Sequence, residues 1–299
     1  MTASHTPRAR FGGERGHRAA VGRGIVCMLG GCLLLTVNDT IMKLLTEHYT
    51  IGQAIFGRGV LALVFLAGWV MLAGGASTLR VYDYRGVIGR GAILVCGTYM
   101  FITGLSLLPL STAIAVSFTG PLVTALLAVP ILRERIGPRR GLAILVGFCG
   151  VVVMVRPSGD VVQWAILLPL GATVTGAFRD LLTRHLAARE SSLAILVYST
   201  AIVSLGGLAS LPFGWAPWRL EDLPALLGAG ATLAGAHYLQ IEAFRCAPAS
   251  LVAPYRYSSL VWAGLFGFLV WHDLPDAAML LGTALVVAAG LYLWRLGAR

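Results

Sequence analysis

The chain has 299 residues, of which 57% are hydrophobic and only 12% charged, with a mean hydropathy of +0.80. That is too little polar surface to cover a water-soluble globule, so lipid is the expected solvent. The formal charge of +10 does not point to nucleic acid, because the basic residues stand singly or in short clusters between apolar runs rather than on one stripe.

All 23 basic residues are Arg except Lys43, a bias expected of a GC-rich bacterial genome and hence of a bacterial inner membrane. The cysteines, Cys27, Cys32, Cys96, Cys149 and Cys246, have neither paired metal-ligand spacing nor a disulfide framework, and no metal or cofactor is expected. Residues 1–22 carry Arg8, Arg10, Arg15 and Arg18 with no cleavage site after the next apolar run, which predicts a disordered cytoplasmic tail rather than a removable signal.

About 20 apolar residues cross the hydrocarbon core as a helix, and ten segments fit. They are 24–44, 51–73, 88–107, 110–131, 139–156, 162–183, 192–213, 222–243, 249–270 and 276–295. The expected fold is an all-α membrane protein, with a first five-helix repeat over 23–157 and a second over 158–299. With the N-terminus inside, cytoplasmic tails and loops collect sixteen Arg, while outside loops hold only Arg156 and Arg219. The positive-inside rule therefore puts both termini in the cytoplasm.

Two stretches repeat. Pro109-Leu110-Ser111 leads through a span to Leu132-Arg133-Glu134 and a span containing Gly150, and Pro248-Ala249-Ser250 leads to Trp271-His272-Asp273 and a span containing Gly290. Glu134 and Asp273 each lie 25 residues past their proline. With five spans per half, the Glu134 loop is cytoplasmic and the Asp273 loop external, so the repeats are inverted.

The sequence resembles the drug/metabolite transporter superfamily, specifically the EamA-type exporters with two five-helix halves. The resemblance rests on Asn38, Lys43 and Arg58, on Pro121 followed by Leu132-Arg133-Glu134-Arg135, and on a glycine-rich span from Gly141 to Gly150. It departs in the second half, where Leu260 stands in place of a proline parallel to Pro121 and Asp273 in place of Glu. The bacterial aromatic amino acid exporters look most similar, which implies amino-acid-like substrates.

Polar side chains at membrane depth are costly and usually face an interior or a wet cavity. Asp39 and Lys43, four apart on the first span, with Arg58 at similar outer depth on the second, suit either an ion-paired strut or a proton or carboxylate site. Tyr99 on the third span and Ser117 on the fourth lie on small polar faces that suit helix packing or a cavity wall. Trp164 is either an interfacial anchor or part of the cavity. The eighth span is densest, with His237, Tyr238, Gln240 and Glu242 within two turns. The ninth places Tyr255, Ser258, Ser259 and Trp262 on one face beside Arg256, below a kink at Pro254. Aromatic bodies with hydrogen-bonding edges and an arginine suit an amphipathic zwitterion.

The expected substrate site is therefore Tyr99, Ser117, Trp164, His237, Tyr238, Tyr255, Ser258 and Trp262. The expected function is alternating-access transport of small amphipathic metabolites, with amino acids first and other metabolites or drugs as the alternative, and a monomer is compatible with this plan. A membrane-embedded enzyme is a weaker reading. The sequence holds no His-Glu-x-x-His, Gly-x4-Gly-Lys or Gly-x-Ser-x-Gly pattern, each of which serves a specific chemistry.

Overall fold

A computed structural model describes residues 13–120, 122–123, 126–127, 138–155, 164–186, 190–247 and 249–297. Pro121, Pro248 and the Leu132-Arg133-Glu134-Arg135 stretch lie outside the described residues. Every regular element among those described is helical. The first half supplies α1 (Gly13–His48), α2 (Ile51–Leu72), α3 (Tyr84–Leu107), α4 (Leu110–Ser117) and α5 (Pro138–Val155). The second supplies α6 (Leu167–Leu186), α7 (Ser192–Leu208), α8 (Leu223–Cys246), α9 (Ala249–Val252), α10 (Ser258–Trp271) and α11 (Ala277–Gly297). A 3-10 turn, Ala253–Tyr257, joins α9 to α10.

The helix boundaries have local causes. Asp83 accepts the Gly86 N–H at 2.9 Å at the start of α3, and Ser191 accepts the Ala194 N–H at 3.0 Å at the start of α7, each satisfying a donor that has no partner in the first turn. Gly74, at φ 119°, follows the end of α2 in a conformation that side chains with a Cβ avoid. His272 at φ 57° turns the chain out of α10, and the Asp273 N–H closes back onto the Gly267 carbonyl at 3.1 Å.

Two expectations change. Residues 13–22, expected as disordered tail, continue α1 toward the N-terminus, since nothing between Gly13 and Gly22 forbids helix and the span ahead of them supplies a nucleus. The ninth span, expected as one helix over 249–270, is broken at the 3-10 turn around Pro254, whose missing N–H cannot take the bond an α-helix needs there.

Five helical stretches are long and apolar enough to cross a bilayer, namely Ala19–His48, Ile51–Leu72, Tyr84–Leu107, Ser192–Phe213 and Ala277–Leu296. The outside is apolar where a water-soluble protein would be charged, with Met71 78% and Val261 68% exposed. Helices of this length and apolarity, with large apolar side chains turned outward, are those of a membrane protein.

The packing partners follow a regular plan. α1 lies on α8, α3 on α6, α2 on α7, α5 on α11, and α4 on α10, with α2 also on α8 and α3 on α7. Exchanging the halves leaves this set unchanged. Glycines give the direction of each crossing. A Cβ at Gly207 would meet the Gly52 carbonyl at 2.6 Å, and Gly91, nearer the start of α3, lies on Ile202. In the α5–α11 crossing, a Cβ at Gly150 would meet the Gly282 carbonyl at 2.7 Å, while Gly147 faces Ala289, so these two helices run antiparallel. Small residues let membrane helices approach backbone to backbone.

Candidate functional site

The first polar knot ties three helices. Arg58 on α2 donates to the Asn38 Oδ1 at 3.0 Å, and the Asn38 amide donates to the Ala229 carbonyl of α8 at 2.7 Å. Asn38 is completely buried, and Asp39 beside it lies within electrostatic reach of Arg58. Lys43 does not join this knot. Its ammonium donates to the carbonyl of Leu108, at the junction of α3 and α4, and sits 5.1 Å from the ring centre of Trp271 on α10. The expected Asp39–Lys43–Arg58 strut is thus divided in two, with no Asp39–Lys43 ion pair among the described residues. The reason lies in the break before Pro109, which leaves a carbonyl at the helix end open to a cation.

The turn between α1 and α2 and the connection between α7 and α8 are joined by a second network. The Tyr49 hydroxyl donates to Asp222 Oδ2 at 2.8 Å and accepts the Arg219 N–H at 3.0 Å, while Gln53 exchanges two bonds with the Ala216 backbone at 2.7 and 3.1 Å. Burial, chiefly, pushes the Tyr49 phenol above its ordinary range, which keeps it a donor. At the opposite ends of α2 and α7, Glu190 accepts the N–H groups of Tyr82 and Asp83 at 2.9 and 2.7 Å.

The expected site residues separate into groups. Trp164, 69% exposed, and Tyr238, 41% exposed and edge-on to Trp69 at 4.6 Å, lie on the outer surface. For Tyr238 this follows from its neighbour, because successive helical positions are about 100° apart and His237 takes the inward side. Tyr99 packs between α2, α3 and α7, its hydroxyl donating to the Gly206 carbonyl at 3.0 Å, one of the last-turn carbonyls of α7. Ser117 bonds back to the Ala113 carbonyl of its own helix at 2.9 Å. Tyr255 is 39% exposed on the 3-10 turn.

His237 is half-buried on α8, and the positive charges of Arg58, Arg90, Arg179 and Arg256, from α2, α3, α6 and the 3-10 turn, lie within electrostatic range of it. Ser258 and Trp262 stand four residues apart on α10, and the Ser258 hydroxyl and Trp262 indole N–H are both buried without a partner among the described residues. Arg90 and Arg179 are not among the site residues that sequence reasoning selects. The sequence signal available for both was a cation at the border of an apolar run.

A further pair escaped the sequence reading. Phe118, just past α4, stacks on Tyr257 with ring centres 4.8 Å apart, and Tyr257 in turn lies against Gly290 of α11. The two broken segments of the protein therefore meet ring to ring.

The model of the EamA-like transporter family matches twice, over residues 22–156 and 163–295. A protein of Rickettsia bellii named S-adenosylmethionine uptake transporter is 29% identical, over 90% of this chain and 92% of its own length. A riboflavin transporter of Rhizobium johnstonii is 30% identical, over 88% of this chain and 89% of its own, and one of Vibrio cholerae is 28% identical over 76% and 77%. A crystal structure 19% identical in sequence matches with a TM-score of 0.59, over 95% of this chain and 99% of its own, a likeness of fold alone. These relatives are named for S-adenosylmethionine and riboflavin and not for amino acid export.

Proposed function

Because the chain belongs to the EamA-like transporter family, we propose that it is an inner-membrane uptake carrier for a flat heteroaromatic metabolite bearing a hydroxylated chain, with S-adenosylmethionine the first candidate. The observation that carries this reading is the pair of relative groups. Both S-adenosylmethionine and riboflavin combine such a ring with a ribosyl or ribityl chain, and relatives named for each align with most of this sequence. The interior around His237, Ser258 and Trp262 supports it, offering an aromatic face with hydrogen-bonding edges.

In this reading the ten spans form two inverted halves, both termini are cytoplasmic, and the halves exchange conformations in alternating access. The antiparallel α5–α11 crossing and the contact plan that survives exchange of the halves support the inversion. A single cysteine at Asp273 should react with an impermeant reagent only from the external face. Labelling from the cytoplasmic face alone would remove the inversion.

Proteoliposomes loaded with unlabelled S-adenosylmethionine test the substrate. Radiolabelled S-adenosylmethionine should enter saturably and be displaced by excess unlabelled compound or riboflavin, with phenylalanine and tryptophan without effect. Saturable entry of the amino acids alone would overturn the reading.

A further inference from the structure

Six hydroxyls in the spans share one solution. Thr36, Thr40, Thr103, Ser117, Thr200 and Ser204 each donate to the carbonyl four residues back, at 2.7–2.9 Å. Ser258 does not. It opens α10 directly after the 3-10 turn, and its hydroxyl is left buried and without a partner among the described residues. One turn further along, the Trp262 N–H is in the same condition, whereas the Trp215 N–H reaches the Ser210 hydroxyl at 2.9 Å.

The other buried polar atoms without a partner among the described residues lie on Arg58 in α2, on Glu190 just before α7 and on Thr283 in α11. Only Ser258 and Trp262 lie on one helix at a spacing that puts them on the same face. Two residues before Ser258, on the 3-10 turn, Arg256 is exposed and its guanidinium makes no hydrogen bond or ion pair among the described residues. An arginine, a hydroxyl and an indole N–H thus stand within seven residues, all able to donate.

A buried donor without an acceptor carries a desolvation cost, and two such donors side by side are a place where an acceptor from outside the protein is worth more than it would be in water. The geometry points to a carboxylate subsite, in which Arg256, Ser258 and Trp262 bind the carboxylate of the transported metabolite. A planar guanidinium meets two carboxylate oxygens at once, and the serine and indole donors take the remaining lone pairs. This inference rests on the proposed substrate reading and narrows it, since S-adenosylmethionine carries a carboxylate and riboflavin does not.

The test uses the purified full chain and two ligands that share the adenosyl group, S-adenosylmethionine with its carboxylate and 5′-methylthioadenosine without it. Trp262→Phe removes the N–H and keeps most of the ring area, and Ser258→Ala removes the hydroxyl. Each should weaken S-adenosylmethionine binding by about tenfold, the loss of one hydrogen bond to a charged group. Arg256→Gln should weaken it more.

All three variants should bind 5′-methylthioadenosine within about twofold of the wild type. The ligand-free melting temperatures of Ser258→Ala and Trp262→Phe should stay level or rise, because removing an unpaired buried donor removes a cost. Equal losses on the two ligands, or no loss on either, would overturn the subsite while leaving the substrate reading intact. A wild-type protein that binds neither ligand would overturn both.

Discussion

Gly207→Val should abolish the folded yield of the protein, and Gly207→Ala should lower its melting temperature. A Cβ at this position would stand 2.6 Å from the Gly52 carbonyl oxygen and 2.8 Å from the Phe56 backbone nitrogen. Both obstacles are backbone, so relief requires α2 and α7 to separate along the crossing they share. Overpacking a well-fitted interior by a methyl costs about 2 kcal/mol, and valine adds two further carbons to the same gap. Gly68→Ala on α2 is the control, because a Cβ there meets nothing within 4 Å. It should leave stability unchanged or raise it by up to ~1 kcal/mol through helix propensity. Melting curves in one detergent, with the variants side by side, decide the matter, and a Gly207→Ala protein as stable as Gly68→Ala would show that the crossing is looser than described.

Asn38→Leu should also be strongly destabilising, through lost hydrogen bonds rather than through overpacking. It strips the Arg58 guanidinium of its 3.0 Å acceptor and the Ala229 carbonyl of its 2.7 Å donor together. A charge-assisted bond and an ordinary one at these depths amount to about 3 kcal/mol, most of it the penalty on the stranded guanidinium. Adding Arg58→Met to Asn38→Leu removes that stranded charge and should recover part of the loss. A double variant no more stable than Asn38→Leu alone would mean that Arg58 finds another partner, with Asp39 the nearest anion able to serve.

The edges of α2 and α7 were legible because apolar length and a Thr or Ser cap mark the same place. The expected 51–73 and 192–213 became Ile51–Leu72 and Ser192–Leu208, with a short 3-10 extension at Leu211–Phe213. Breaks inside spans were harder, because hydropathy does not change at a helix break. In the fourth span, expected over 110–131, α4 ends at Ser117, four residues before Pro121, which offers no N–H to the Ser117 carbonyl, and helix is found again at Gly120, Leu122–Val123 and Leu126–Leu127.

Side-chain destinations were the least legible. Which of two acceptors Lys43 takes, Asp39 on its own helix or the Leu108 carbonyl on another, depends on how helices cross, and helical spacing records only the first option. For the same reason Trp164 and Tyr238, aromatic and near polar neighbours in sequence, were grouped with a site from which the structure separates them.

Phe118 and Tyr257 are 139 residues apart, as are Pro109 and Pro248, so each half contributes the same position to the single ring contact where the broken segments meet. Such a contact behaves as a fulcrum. Two offset rings slide and tilt across each other over a broad range of angles at small cost, whereas a hydrogen bond there would hold one angle. In the proposed carrier, a rotation about that point moves the far ends of the halves most and the rings least. Because the same position of each half supplies the bearing, the swing that opens one face of the membrane equals the swing that shuts the other.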